Sequence, residues 1–258
     1  MGYIGIRTES SAPQGWIVLN QPEKRNPLST TTVAEISDAL RAFERDATIR
    51  AVLITGEGKF FSAGADLRDL AVRSPLEDRS DYNAWIELHQ VVAQMRKPVI
   101  ALVNGPVVGG SAALVGLADL AIASDRATFA YAQIDRGIGI GIAVVTLLRS
   151  APRKKAVELS LLANRIDAQE AERIGLVNRV VPHDELTAAG EAMVAALAQK
   201  SPIAVAFTKE ACHVLPDLPF VTAMERSRDL RVISRTSADA EEGITSFLEK
   251  RRPVWTGV

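Results

Sequence analysis

Short, wholly apolar runs alternate with helix-spaced apolar stripes through most of this chain, and only stripes follow. Residues 3–8 and 15–20 read as short strands, with a charged loop over 22–27. Val33, Ile36, Leu40 and Phe43 then share one helical face, and Thr32 and Glu35 have the spacing of a capping box at its start. AVLIT (51–55) and the run over 98–103 are the kind of strand that is covered on both faces. Between them the spacing predicts a helix over 82–96. A small-residue helix over 109–116 and a strand over 117–124 come next. A glycine-alternating loop at 137–141 leads into an apolar helix through 148, and 175–181 reads as a strand.

Beyond residue 181 the strand signals stop. Asp184 stands at the start of a helix whose inward face carries Leu186, Met193 and Leu197. Ser201-Pro202 is an N-cap followed by proline at the first helical position. Helices over 221–234 and 237–250 follow, the last capped by Ser237 with Glu241 and Glu242 in its first turn. Alternation followed by helices alone predicts an α/β core, residues 1–195, and a helical C-terminal region, residues 196–258.

Composition changes this picture mainly by exclusion. The 258 residues are 47% hydrophobic and 24% charged, which suits one large α/β domain. A net charge of −1 gives no electrostatic reason to expect nucleic acid or an anionic membrane surface. Residues 98–118 carry no charge and are long enough to raise the question of a membrane span. Pro98, Asn104, Pro106 and glycines 105, 109, 110 and 116 divide that stretch into strand, turn and helix instead. The first residues lack a basic segment followed by an apolar one, so no signal peptide is expected. Cys212 is the only cysteine, which fits a reducing, cytoplasmic compartment. His89, His183 and His213 lack metal-site spacing, and no metal is expected.

Two segments carry candidate chemistry: AVLITGEGKFFSAGADL and VIALVNGPVVGGSAALVG. Each is a buried strand, a turn of small residues and the start of a helix. Helix starts leave backbone N–H groups unpaired, and small residues let a ligand approach them. Two such groups on one point would hold a developing oxyanion. Spacing alone equally fits glycines that serve only tight turns. No G-x-G-x-x-G or P-loop is present. Gly109-Gly110-Ser111-Ala112-Ala113 distantly suggests a nucleophile elbow, which keeps a serine hydrolase among the readings.

FSAGADL at 61–67 and NGPVVGGSAALVGLADLAIAS at 104–124 resemble the paired signatures of the crotonase (enoyl-CoA hydratase/isomerase) superfamily. PEKRNPLS, PVIALVNG, RIDAQEAERIGLVNRVVP and SFLEKRRPVW extend the resemblance, in the right order, over nearly the whole chain. It implies a spiral of ββα units with a C-terminal helical region that forms trimers or dimers of trimers. It also implies an acyl-CoA thioester as ligand, with no cofactor beyond the coenzyme A of the substrate. The N–H groups of Ala65 and Gly110 would bind the thioester oxygen. Ala63, Ala65, Asp66 and Leu67 would lie near the adenine, Lys24 and Arg25 near the phosphates, and Phe247 and Lys250 would close over CoA.

The resemblance also shows what is missing. Hydratases of this family carry two glutamates, whose positions here are Ala113 and Gln133. The position where some isomerases carry a carboxylate is Gly141. None of the three can exchange a proton, and each well-placed acid or base is worth about 10²–10⁴-fold in rate. Asp135, two residues past Gln133, is the first substitute, because alternate side chains of extended backbone share a side. His89 and Tyr131 are further candidates. Leu70, Val107, Val108, Ile138 and Ile140 are candidate acyl contacts. Ordinary hydration is therefore doubtful. The readings are enolate chemistry on an acyl-CoA or, from a different class, a non-catalytic acyl-CoA-binding protein.

Overall fold

A computed structural model of the chain describes residues 2–65, 74–139 and 141–258. Strands β1 (Ile6–Ser11) and β2 (Gln14–Leu19) pair antiparallel. Strand β2 continues in parallel with β3 (Ala51–Gly56), then β4 (Val99–Val103), β6 (Leu120–Ser124) and β9 (Arg179–Val181), giving one six-stranded sheet. A second sheet of three short strands, β5 (Val107–Val108), β7 (Thr128–Ala130) and β8 (Ile166–Asp167), stands beside it. An isolated parallel bridge from Ser62 to Val107 extends this second sheet to the first glycine turn. After β3, β4 and β6 the chain thus runs from the large sheet to the small one, or to its bridging residue Ser62, before the next helix.

Both faces of the large sheet are covered, which is why its central strands have no polar alternation. On one face Val52, Ile54, Ala101 and Val103 join a large core with α1 (Thr30–Arg45), α2 (Pro75–Gln94) and α3 (Ser111–Leu117). On the other, Leu53, Ile100, Leu102 and Ile122 pack under Leu186 and Val194 of α7 (Leu186–Ala198). A Cβ at Gly190 would come within 2.6 Å of Leu102, so this glycine lets α7 lie close on the sheet. The expected domain boundary at 195/196 falls inside this helix. Helices α4 (Ile142–Ser150), α5 (Arg153–Leu162) and α6 (Ala168–Arg173) precede it. Helices α8 (Pro202–Val214), α9 (Phe220–Arg235) and α10 (Ala238–Leu248) end the chain.

Several boundaries differ from expectation for local reasons. Helix α1 begins three residues early: Ser29, not Thr32, is the cap, and it accepts from the Thr32 amide at 3.1 Å. Glu35 instead reaches back to the Ile4 and Gly5 amides, at 2.7 and 2.8 Å, and ties down the chain start. Helix α2 begins at Pro75 behind a full capping box from Ser74 and Glu77, where the polar run 77–81 hides any apolar stripe. Asp184 lies within a 3₁₀ turn, His183–Glu185, and forms no cap. The caps at Ser201 and Ser237 stand where expected. Among the described residues no helix is long and apolar enough to cross a membrane.

Candidate active site

The two glycine turns are bolted together by backbone and by two serines. The Ser62 amide donates to Pro106 O at 3.2 Å, and the Val108 amide donates to Ser62 O at 3.1 Å. Ser111 Oγ accepts from the Val108 amide at 3.0 Å and lies 3.0 Å from Ser62 O and 2.9 Å from Val108 O. This side chain is fully buried and committed to the turn, so it is a buttress and no nucleophile. The serine hydrolase reading fails on that placement.

Gly64 is where the turns touch. Its φ is +82°, and a Cβ there would run into Val108 O and sit 3.2 Å from the Gly110 nitrogen. Only glycine meets both demands. Gly109, at φ +62°, turns the chain so that its amide donates to Ala130 O at 2.8 Å. Past these anchors come the two expected amides. Among the described residues, neither the Ala65 N–H nor the Gly110 N–H has a hydrogen-bond partner. Ala65 is exposed and Gly110 half-buried at the start of α3. Two unpaired donors on adjoining turns, one of them at a helix start, are the kind of groups that suit an anionic oxygen.

Two asparagines that sequence reading passed over hold the first turn. Asn26, 1% exposed, donates to Glu57 O and Phe60 O at 2.9 Å each and accepts from the Gln21 amide at 3.0 Å. Asn104 accepts from the Gly56 amide at 3.1 Å and donates to Gly58 O at 3.0 Å. Both stood within stretches quoted for the family resemblance, but their amides serve the scaffold. The loop that carries Lys24 and Arg25 is drawn in the same way: the Ala63 amide donates to Arg25 O at 2.8 Å. The Arg25 guanidinium lies 5.4 Å over the Phe60 ring, while Lys24 is exposed. The Ala63–Arg25 hydrogen bond thus ties the loop of Lys24 and Arg25 to the turn that carries Ala65. Asp66, Leu67, Leu70 and Ile140 lie outside the described residues. Phe247, 81% exposed, is in the last turn of α10, which packs on α8 and α9, and Lys250 lies two residues past its end.

The side-chain half of the site is different. Ala113 is fully buried on α3. Gln133 lies against Gly109, its amide group 3.7–3.9 Å from where a Cβ would be, and its buried Oε1 lacks a partner. Asp135 does not follow Gln133 on extended backbone. Ile134–Arg136 is a 3₁₀ turn, so the alternation argument does not apply, and Asp135 is exposed. Tyr131 is 1% exposed with an unpartnered hydroxyl, and burial pushes its phenol well above the ordinary value. Val107 belongs to the core, and Ile138 is exposed.

The histidines are placed elsewhere. His89 lies on α2 with a buried, unpartnered Nδ1, and burial lowers its pKa. His213 Nε2 and Lys209 Nζ each lie 2.7 Å from the Asp119 carboxylate. Burial opposes the charge on Asp119, but His213, Lys209 and the Val99 amide outweigh it and hold the carboxyl below its usual range. Lys209 is itself lowered, because its burial outweighs the attraction of Asp119. His183 Nδ1 meets Ser124 Oγ at 3.0 Å. No group of three potential metal ligands occurs among the described residues.

Paired glycine turns with open amides, joined to this spiral, define a class, and comparison with known proteins gives it a family. Residues 12–258 match the enoyl-CoA hydratase/isomerase family, and the chain belongs to it, with the crotonase fold. A probable mitochondrial enoyl-CoA hydratase of Dictyostelium discoideum is 34% identical over 96% of this chain and 89% of its own. A putative enoyl-CoA hydratase of Thermus thermophilus is 34% identical over 92% and 95%. Among solved structures, enoyl-CoA hydratase subunit I of Geobacillus kaustophilus superposes with a TM-score of 0.94 at 32% identity, covering 100% of both chains. Human enoyl-CoA hydratase domain-containing protein 3 gives 0.93 at 29%, covering 98% of this chain and 100% of its own.

Proposed function

We propose that this protein binds an acyl-CoA thioester with its carbonyl oxygen between the Ala65 and Gly110 amides and promotes chemistry through the enolate. The observation that carries this is the pair of unpaired N–H groups on turns locked by Gly64. Negative charge grows on that oxygen as the enolate forms. Preorganised donors meet it without reorganising, and each is worth roughly 3–4 kcal/mol in comparable sites. Lys24 and Arg25 would receive the phosphates, and Ala63, Asp66 and Leu67 the adenine. Phe247 and Lys250 would close over the CoA. No metal or separate cofactor takes part, and the cytoplasm is the working compartment.

Infrared difference spectroscopy of carbonyl-labelled crotonyl-CoA tests the reading. The bound thioester C=O band should move to lower wavenumber than in solution. An unshifted band in a saturated complex would sink the assignment. Gln133 and Ala113, which cannot move a proton, favour a second reading: a protein that binds acyl-CoA without turnover. A panel of enoyl-, dienoyl- and malonyl-type CoA esters decides between the two, since the binder turns over none.

Assembly as a trimer or a dimer of trimers belongs to the same proposal. Helix α9 leaves Phe220, Val221 and Met224 at least 60% exposed, and α10 does the same with Phe247 and Leu248. Contiguous apolar faces of this kind mark protein interfaces. Sedimentation of the full chain reads the state directly, and a monomer at micromolar concentration would remove this part.

A further inference from the structure

We propose that the enolate at this site forms by loss of CO2: the substrate class is a 2-carboxyacyl-CoA, an ester of the malonyl type, and the Gln133 carboxamide orients its carboxylate; this rests on the function proposed above. The Gly109 amide donates to Ala130 O at 2.8 Å, which pins the end of β7 to the second glycine turn. Three residues on, the Gln133 carboxamide lies 3.7–3.9 Å from where a Cβ on Gly109 would be. The next residue is Gly110, whose amide is open among the described residues. Standard backbone geometry keeps the carboxamide within about 8 Å of that N–H. A malonyl-type carboxylate stands two bonds from the thioester carbonyl carbon. With the thioester oxygen on the Gly110 N–H, rotation about Cα can bring the carboxylate to Gln133.

The carboxamide is free for this use. Its Oε1 is buried without a partner, and its Nε2 makes no hydrogen bond among the described residues, which leaves Nε2 as the end open to a ligand. That end is a donor, so it calls for an acceptor on the acyl group. A carboxylate supplies one, and a saturated or enoyl chain does not. Neutrality matters as much. A glutamate here would repel the carboxylate, and a cation would stabilise a charge that must vanish in the transition state. On the facing helix Ala113, whose amide donates to Gly110 O at 3.0 Å, adds only a fully buried methyl. Of the bases the sequence offers, His89 lines a cavity whose walls include none of residues 62–65 or 108–113. Tyr131 is sealed in the core with its phenol held protonated, and Asp135 lies exposed on the 3₁₀ turn. Loss of CO2 makes the enolate without calling on any of them.

The step needs no reactant beyond water. The bond from Cα to the carboxylate carbon breaks, its electron pair becomes the enolate, and CO2 leaves. The charge moves to the thioester oxygen between the Ala65 and Gly110 amides, whose hydrogen bonds strengthen as the carboxylate charge disappears. Water then gives a proton to Cα, and the hydroxide that remains joins CO2 as bicarbonate. The other product is the acyl-CoA shorter by one carbon.

Malonyl-CoA and methylmalonyl-CoA test this, with acetyl-CoA and propionyl-CoA read by mass spectrometry. The wild-type protein should decarboxylate at least one of them, while butyryl-CoA in D2O keeps its Cα protons by NMR. Gln133→Leu should lower kcat/KM for decarboxylation about 10-fold. Gln133→Glu, which sets a like charge beside the carboxylate, should lower it further, with butyryl-CoA affinity within about threefold in both variants. A wild-type protein that binds both esters and releases no CO2 would overturn the proposal. So would equal rates in wild type and both variants, or butyryl-CoA exchange as fast as decarboxylation, which would reveal a base at the site. Failure to bind any acyl-CoA overturns the function reading itself, and calorimetric titration reports that failure separately.

Discussion

The two halves of the candidate site are built from different materials. One half is backbone: two glycine turns, pinned by Ser62, Ser111, Asn26 and Asn104, that leave the Ala65 and Gly110 amides open among the described residues. The other half is side chains, and the positions that the family resemblance would give to proton transfer hold Ala113, Gln133 and Gly141, none of which can titrate. Backbone donors are protected by sterics, since Gly64 cannot gain a Cβ without striking Val108 O. Side-chain acids and bases have no such protection, because the fold closes equally well around alanine. On the proposed function, such a site can keep its way of binding a thioester while its way of moving protons changes.

The sharpest test restores the missing half. Ala113→Glu with Gln133→Glu should raise crotonyl-CoA hydration about 10²–10⁴-fold. Ala113 is fully buried, so acyl-CoA binding and melting temperature must be followed alongside. A folded, ligand-binding double variant with no gain would mean that these two positions do not face the acyl group, and the contrast between the halves would collapse.

The next test separates site from scaffold. Asp119→Asn leaves Lys209, 6% exposed, without its counter-charge, and such losses cost about 3–5 kcal/mol of stability. Thioester affinity in the folded fraction should stay put. The pH dependence has a definite sign. A carboxyl lowered in the folded state stabilises fully above its unfolded value, about 3.9, and that contribution fades as pH falls through the lowered folded value. Denaturant titrations should show an acid limb below about pH 4 in the wild type that is flatter in Asp119→Asn. Parallel limbs would mean that Asp119 does not govern it.

Much of this was legible in the sequence, and what was not has physical causes. The central strands declared themselves because burial on both faces removes polar residues from them. The glycine turns declared themselves because only glycine fits at Gly64 and because Gly109 turns the chain at a positive φ that glycine favours. Strands β5, β7 and β8 escaped notice because two or three residues carry no period. Helix α5, with its weak stripe in RKKAVELSLL, went unseen for the same reason. Asp135 was misplaced because a 3₁₀ turn and an extended strand look alike over a stretch as short as Gln133-Ile134-Asp135. Gln133 lies far from Gly109 in sequence, and only folding brings them together.

Gly64→Ala attacks the preserved half directly. The methyl group must push Val108 and the Gly110 amide away at a residue whose φ is +82°. Loss of one aligned donor should lower turnover, or binding of an enolate analogue, about 10²–10³-fold. Ground-state binding of free CoA, which needs neither amide, should be unchanged. If free CoA and the enolate analogue weaken equally, the turn serves the whole ligand and not its oxyanion.

Ser111→Ala is the mildest of these changes and the most discriminating about what a buried hydroxyl does here. Its Oγ is one of two acceptors for the Val108 amide, which keeps Ser62 O, so removal costs about 0.5–1.5 kcal/mol. The expected result is a lower melting temperature with acyl-CoA affinity within about threefold, because Ser62, Gly64 and the Gly109 amide still hold the two turns together. A fall in affinity of 30-fold or more with little loss of stability would show that this serine aims the Gly110 amide, which would move it from scaffold to the backbone half of the site.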